Sequence, residues 1–245
     1  MTQSDVIDEA EDNQAGENKA EDAESETPKP PTRLLLVRHA VTAHTGPLLS
    51  GRMPGIDLSD KGVEQAEATA SRIAALPVDA IYASPIERTT QTAQRIAAHH
   101  QLVVEPLPGV IEADYGDWTG QKLVDLAKTP EWSVVQITPS RARFPNGESL
   151  LEMQTRTVAA IEVVVRRHPN QTVVVVSHAD PIKAAIAYFT GMHLDLFQRL
   201  HVSPASVTVL DFYSHGAMLV KSNDTGGLEE LLPAPPAAEA EPTDG

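Results

Sequence analysis

The feature that most constrains this chain is Val173-Val174-Val175-Val176, four β-branched residues in a row, ended by Ser177-His178. Such side chains favour strands, and a run without polar alternation leaves no face for water. The segment must be a strand covered on both sides, which calls for helices above and below a mostly parallel sheet. Leu34-Leu35-Leu36-Val37 has the same character and ends in Arg38-His39. Ala80-Ile81-Tyr82-Ala83 and Leu102-Val103-Val104 read as two further strands.

Helical patterns separate these strands. Ser59 is placed to cap a helix in which Val63, Ala66, Ala70, Ile73 and Ala74 recur at helical spacing. Ser84 and Pro85 read as the cap and first position of a helix reaching about His99. A short amphipathic piece is expected at 121–128. A long helix is expected from Ser149 to Arg167, with Ser149 and Glu152 forming a capping box. A further helix spans Pro181–Phe189. Val207–Phe212 and Met218–Lys221 predict a late edge hairpin.

Charge divides the chain into three. Residues 1–31 hold ten acids against Lys19 and Lys29, and 222–245 hold six acids and no base, so 32–221 carry about −1 of the total −15. Polar, acidic, proline-bearing ends cannot bury enough apolar surface to offset the entropy of ordering. The expected organisation is an acidic disordered tail at 1–31, one domain at 32–222, and a second disordered tail at 223–245. This charge argues against nucleic acid or anionic membrane as a partner. The chain has no cysteine, which excludes disulfides, thiolate metal sites and a cysteine nucleophile. With no basic-then-apolar leader pattern and no apolar run long enough to span a bilayer, a cytoplasmic setting is the expectation.

In an open α/β sheet, ligands bind at the carboxyl ends of the parallel strands. Arg38 and His39 fall there after the first strand, and His178 after the valine strand. Arg88 falls in the first turn of the helix after the second strand. Glu112, in Ile111-Glu112-Ala113-Asp114-Tyr115-Gly116-Asp117-Trp118, is a loop acid within reach of that edge. Two guanidiniums can neutralise phosphoryl oxygens. One neutral imidazole can attack phosphorus, and a second, protonated, can hydrogen-bond the equatorial oxygens. A carboxylic acid can protonate the leaving oxygen and then activate water, provided partial burial raises its pKa against the two arginines. The same residues also admit structural readings. Arg88 could pair with Glu87 or Asp79, Glu112 could be a solvated loop acid, and His178 could hydrogen-bond backbone at a strand end.

Taken together, these segments resemble the histidine phosphatase superfamily, in its phosphoglycerate-mutase-like branch. The matching pieces are Leu35 to Ala40, Leu58-Ser59 through Gly62 to Ala66, Ser84-Pro85 through Arg88 to Ala93, Glu112 through Trp118 to Gly120, Pro145 to Ser149, and Val175 to Asp180. The resemblance implies a three-layer α/β/α sandwich and no metal or other cofactor. It implies His39 as the nucleophile, Arg38 and Arg88 as phosphate ligands, His178 completing the pocket, and Glu112 as proton donor. Thr45 stands where the family often has asparagine, and Ala179 stands where glycine is common and offers its backbone N–H. Ala40 follows the nucleophile in place of the usual glycine. Arg52 reads either as a contact to a second anionic group or as a solvated surface arginine.

The implied activity is hydrolysis of a small phosphorylated metabolite through phosphohistidine. The alternatives are a phosphomutase using the same intermediate, primed by a bisphosphate, and an inactive phospho-ligand scaffold. Between Glu112 and His178 the chain is compact for a dedicated mutase of this family, which favours hydrolysis. Oligomeric state is not legible.

Overall fold

In the computed structural model the described residues are 30–226. Both expected tails lie almost wholly outside that range. Six strands, β1 (Thr32–Arg38), β2 (Ala80–Ala83), β3 (Val104–Pro106), β4 (Thr172–Ser177), β5 (Val207–Tyr213) and β6 (Gly216–Asp224), form one sheet in the order β3-β2-β4-β1-β5-β6. The first four of these in space are mutually parallel, β5 runs antiparallel to β1, and β6 runs antiparallel to β5.

The helices are α1 (Asp60–Ile73), α2 (Glu87–His100), α3 (Leu123–Leu126), α4 (Pro130–Ile137), α5 (Leu150–Arg167) and α6 (Ala179–Phe189). Side chains alternate along the central strands, and each set meets its own helices. Leu34, Leu36, Val173 and Val175 pack with Ile161, Val164, Ile182 and Ile186 of α5 and α6. Leu35, Val37, Val174 and Val176 pack with Ala70, Ile73, Ala93 and Ile96 of α1 and α2. This is the three-layer α/β/α sandwich that unbroken apolar strands require.

The topology places the site. From β1 the chain crosses to β2 on one side of the sheet, and from β4 it crosses to β5 on the other. The two central neighbours thus send their connections in opposite directions and open a crevice at their carboxyl ends. Their register pairs Val37 with Val176 and Arg38 with Ser177, so His39 and His178 emerge side by side.

Several expectations shift. Helix α2 begins at Glu87 with Ile86 at its cap, and Ser84 makes no cap bond. The third strand is Val104–Pro106, because Gln101 ends α2 in the left-handed region (φ 57°) and Leu102 and Val103 complete the turn, Val103 facing water. Val63 stays 37% exposed rather than joining the core, and Gly62 and Thr69 take buried places on α1. The piece at 121–128 is a single turn, and α4 follows it on a Thr129 cap with Pro130 at its first position. The last strand runs two residues past the boundary expected at 222. There Asn223 Oδ1 accepts from the Ser203 N–H at 2.6 Å, and Asp224 pairs with Arg72 and Lys221. The Ser149–Glu152 capping box is present.

Candidate active site

His39 follows β1, its N–H donating to the Ser177 carbonyl at 2.9 Å. Its ring lies edge-on to His178, with centroids 5.3 Å apart. His39 Nδ1 is 2.8 Å from the Ala40 carbonyl. A carbonyl only accepts, so Nδ1 carries the proton and Nε2 keeps its lone pair. Arg88 Nε donates to that Nε2 at 3.3 Å. Arg88 Nη2 stands 3.3 Å from His178 Nδ1, and a guanidinium only donates, so His178 holds its proton on Nε2 and donates to Ser84 Oγ at 2.8 Å. Both rings are buried, His178 completely. Burial first, then the Arg88 guanidinium, pushes both imidazoles well below their ordinary pKa. Both histidines are therefore neutral near pH 7, and the protonated His178 of the expected scheme needs a further negative charge beside it.

Arg88 is buried in the first turn of α2, with Nη2 also donating to the Gly51 carbonyl at 2.7 Å. It pairs with neither Glu87 nor Asp79. Arg38 donates from Nη1 to the Val202 carbonyl at 2.6 Å. Each arginine keeps one buried N–H with no partner among the described residues, Arg38 Nε and Arg88 Nη1. Burial lowers both guanidinium pKa values, yet arginine remains charged in proteins. An anion is what such donors lack.

Glu112 is 8% exposed, and its carboxylate accepts from the Ala113 N–H at 2.9 Å. Burial, and then the nearby Asp180 carboxylate, raises its pKa to about 7 against the pull of the Ala113 N–H and the two arginines. Asp180 accepts from the Tyr115 hydroxyl at 3.0 Å, and burial keeps that phenol protonated well above its usual range.

The acid's backbone is clamped from two sides. The Glu112 carbonyl accepts from Arg52 Nε at 2.9 Å and from Arg156 Nη2 at 3.1 Å. Both arginines end on Glu148, whose carboxylate also accepts from the Asp114 N–H. Arg52 is thus neither free on the surface nor among the residues lining the cavity; it ties the first loop to the acid loop. Just beyond, Gly116 has φ 51°, and a Cβ there would sit 2.0 Å from the Pro145 carbonyl oxygen. Gly116→Ala is expected to cost about 2 kcal/mol or more, from strain and overpacking together, read as a lowered denaturant midpoint.

A cavity of about 330 Å³ has Arg38, His39, Arg88, Glu112, Ala179 and Asp180 in its wall, while His178 lies behind that wall, buried against Ser84 and Arg88. Thr45 also lines it, with its hydroxyl engaged by Thr42. Ala179 is the first residue of α6, whose cap residue, His178, makes no side-chain cap bond. Trp132 and Phe144 wall the outer part. A larger groove of about 920 Å³ lies between α1 and the β5–β6 hairpin, but its charged residues Arg33, Arg72, Lys221 and Asp224 pair with acidic or basic neighbours and it holds no histidine.

Four residues at the site escaped the sequence. Ser84 looked like a helix cap, and only its distance in space to His178 shows otherwise. Asp180 and Lys183 sit in the first two turns of a helix whose face toward the cavity no periodicity reveals. Glu148 stood within the matching piece Pro145 to Ser149 with no role of its own.

The model for the histidine phosphatase superfamily (branch 1) matches residues 34–225. Phosphoserine phosphatase 1 of Hydrogenobacter thermophilus is 35% identical over 207 residues, covering 81% of this chain and 95% of the relative. A 2,3-bisphosphoglycerate-dependent phosphoglycerate mutase of Thermoplasma acidophilum is 32% identical, covering 72% and 86%. A crystal structure of a mutant phosphoserine phosphatase from Entamoeba histolytica in complex with phosphoserine superposes with a TM-score of 0.73 at 25% identity, covering 80% of this chain and 98% of that one.

Proposed function

The chain belongs to the histidine phosphatase superfamily, branch 1, and on that premise we propose that it hydrolyses small phosphomonoesters through a phosphohistidine at His39. The observation that carries this reading is the state of His39. Its Nδ1–H is anchored to the Ala40 carbonyl, which leaves Nε2 unprotonated, 3.3 Å from the Arg88 Nε–H, on a ring that lines the cavity.

In the first half-reaction Nε2 attacks phosphorus and the bond to the leaving oxygen breaks. Glu112, as the acid, gives that oxygen its proton. In the second, the Glu112 carboxylate takes a proton from water. The water oxygen attacks phosphorus, the P–N bond breaks, and inorganic phosphate leaves with His39 neutral and Glu112 protonated. Arg38 and Arg88 hold the non-bridging oxygens, aided by the open amides at the start of α6. An incoming phosphoryl dianion raises the pKa of His178 and favours its protonated form during turnover. The positive charge in this scheme comes from arginine, so the reading requires no metal or other cofactor. Its ligand is a small phosphorylated metabolite, not a nucleic acid, and its setting is cytoplasmic. No helix among the described residues is long and apolar enough to cross a membrane.

The test is release of inorganic phosphate from a panel of monoesters with EDTA present. Release that survives chelation supports the hydrolase. No release, together with acid-labile phosphate on His39 after exposure to a bisphosphate, would favour the mutase. The mutase relative and the shared phosphohistidine chemistry keep that second reading in play.

Two results are expected of Glu112. Glu112→Gln should slow alkyl phosphates by about 100-fold or more and aryl phosphates far less, because a phenolate leaves without a proton. Comparable slowing of both would remove Glu112 from the acid role. In wild type, kcat/KM for an alkyl ester should fall as pH rises through about 7, since deprotonation of Glu112 removes the acid.

A further inference from the structure

Two charged side chains in the cavity take no direct part in this chemistry, although one of them, Asp180, helps raise the pKa of Glu112. Lys183 lies one turn beyond Asp180 on α6, and both line the cavity with the catalytic residues. Besides Arg38 and Arg88, Lys183 is the one arginine or lysine among the lining residues, and besides Glu112, Asp180 is the one carboxylate. The two form an ion pair at 3.8 Å, longer than a hydrogen bond, so each keeps hydrogen-bonding capacity for a ligand.

Lys183 is held from behind. Its ammonium meets Gln198 Oε1 at 3.1 Å and sits 5.6 Å over the Phe197 ring. One of its three protons is engaged in that bond, which leaves two to donate. Asp180 accepts from Tyr115 through Oδ2, which leaves lone pairs on both oxygens.

Charge then selects the ligand. A phosphoryl dianion is matched by Arg38 and Arg88, and the remainder of the cavity carries one cation and one anion. A ligand whose organic part bears only a carboxylate meets repulsion from Asp180, and one bearing only an ammonium meets repulsion from Lys183. A group bearing both satisfies both. We propose that the Lys183–Asp180 pair selects a zwitterionic organic half, so that the substrate class is an O-phosphorylated amino acid, with Lys183 taking the carboxylate and Asp180 the ammonium. This deepens the hydrolase reading and rests on it.

The experiment compares kcat/KM for O-phosphoserine, 3-phosphoglycerate, phosphoethanolamine and glycerol phosphate, each divided by the value for phenyl phosphate in the same preparation. That division removes any loss of folded enzyme. Wild type should favour O-phosphoserine over each of the other three. Lys183→Met should lower the ratio of O-phosphoserine to phosphoethanolamine by about 10- to 100-fold, the worth of a hydrogen bond to a charged group. Lys183→Gln, which keeps a donor, should lower it less. A wild-type preference for an uncharged or singly charged organic half, or an unchanged ratio in Lys183→Met, would overturn the proposal and leave the hydrolase standing. No phosphate from any ester, phenyl phosphate included, would overturn both.

Discussion

His39→Ala is expected to lower phosphate release by about 10⁴-fold or more, the scale of losing a nucleophile that acts as part of a unit. The side chain contributes one lone pair that nothing nearby can replace. His178 is the neighbouring imidazole, but it is fully buried, is not among the residues lining the cavity, and has its Nε2–H committed to Ser84. The fold should survive, because the backbone pairing of His39 with Ser177 does not involve the ring. Phosphate release is to be measured beside thermal unfolding. Turnover near the wild-type rate in a folded variant would eliminate the phosphohistidine.

Arg88→Ala should cost about 10³- to 10⁵-fold, the range found for arginines that neutralise a transferring phosphoryl group. The guanidinium also touches both histidines and the Gly51 carbonyl, so it orders the nucleophile, its neighbour and the first loop at once. Removing it deletes a cause of the lowered His39 pKa that ranks second to burial. The His39 pKa then rises, although burial still holds it down. Activity grows as pH rises through that pKa, because only the neutral ring attacks, so the acid limb of kcat/KM should move to higher pH. Arg88→Lys retains the charge but not the planar fork. It should keep the acid limb near its wild-type position and still lose most of the rate. If both variants moved the limb equally, charge would not be the cause.

Much of this arrangement was legible beforehand, for a physical reason. Unbroken apolar runs such as Leu34–Val37 and Val173–Val176 fit only a doubly covered sheet, and sheet chirality then puts the residues at their carboxyl ends on one edge. His39, His178 and Arg88 therefore met as expected. The hidden part depends on distances across the chain. Arg52 carries the same charge in either of its expected roles, and only the meeting of Glu148, Arg156 and the Glu112 carbonyl shows that it braces the acid loop. Ser84 shows the same limit. A serine before a proline signals a cap, but its hydroxyl was needed 94 residues away.

The capping pattern has a consequence for thermal stability. Helices α1, α4 and α5 each begin on a hydroxyl that closes their first amides, namely Ser59, Thr129 and Ser149. Helices α2 and α6, which begin beside the histidines, have no such closure. The uncapped first turn of α6 and the unpartnered N–H groups of Arg38 and Arg88 are donors that a bound oxyanion would satisfy. Anything that binds only the folded chain stabilises it, by about 2.7 kcal/mol at a hundredfold excess over Kd. A rise in the unfolding temperature with added inorganic phosphate is the expected result, read by thermal unfolding.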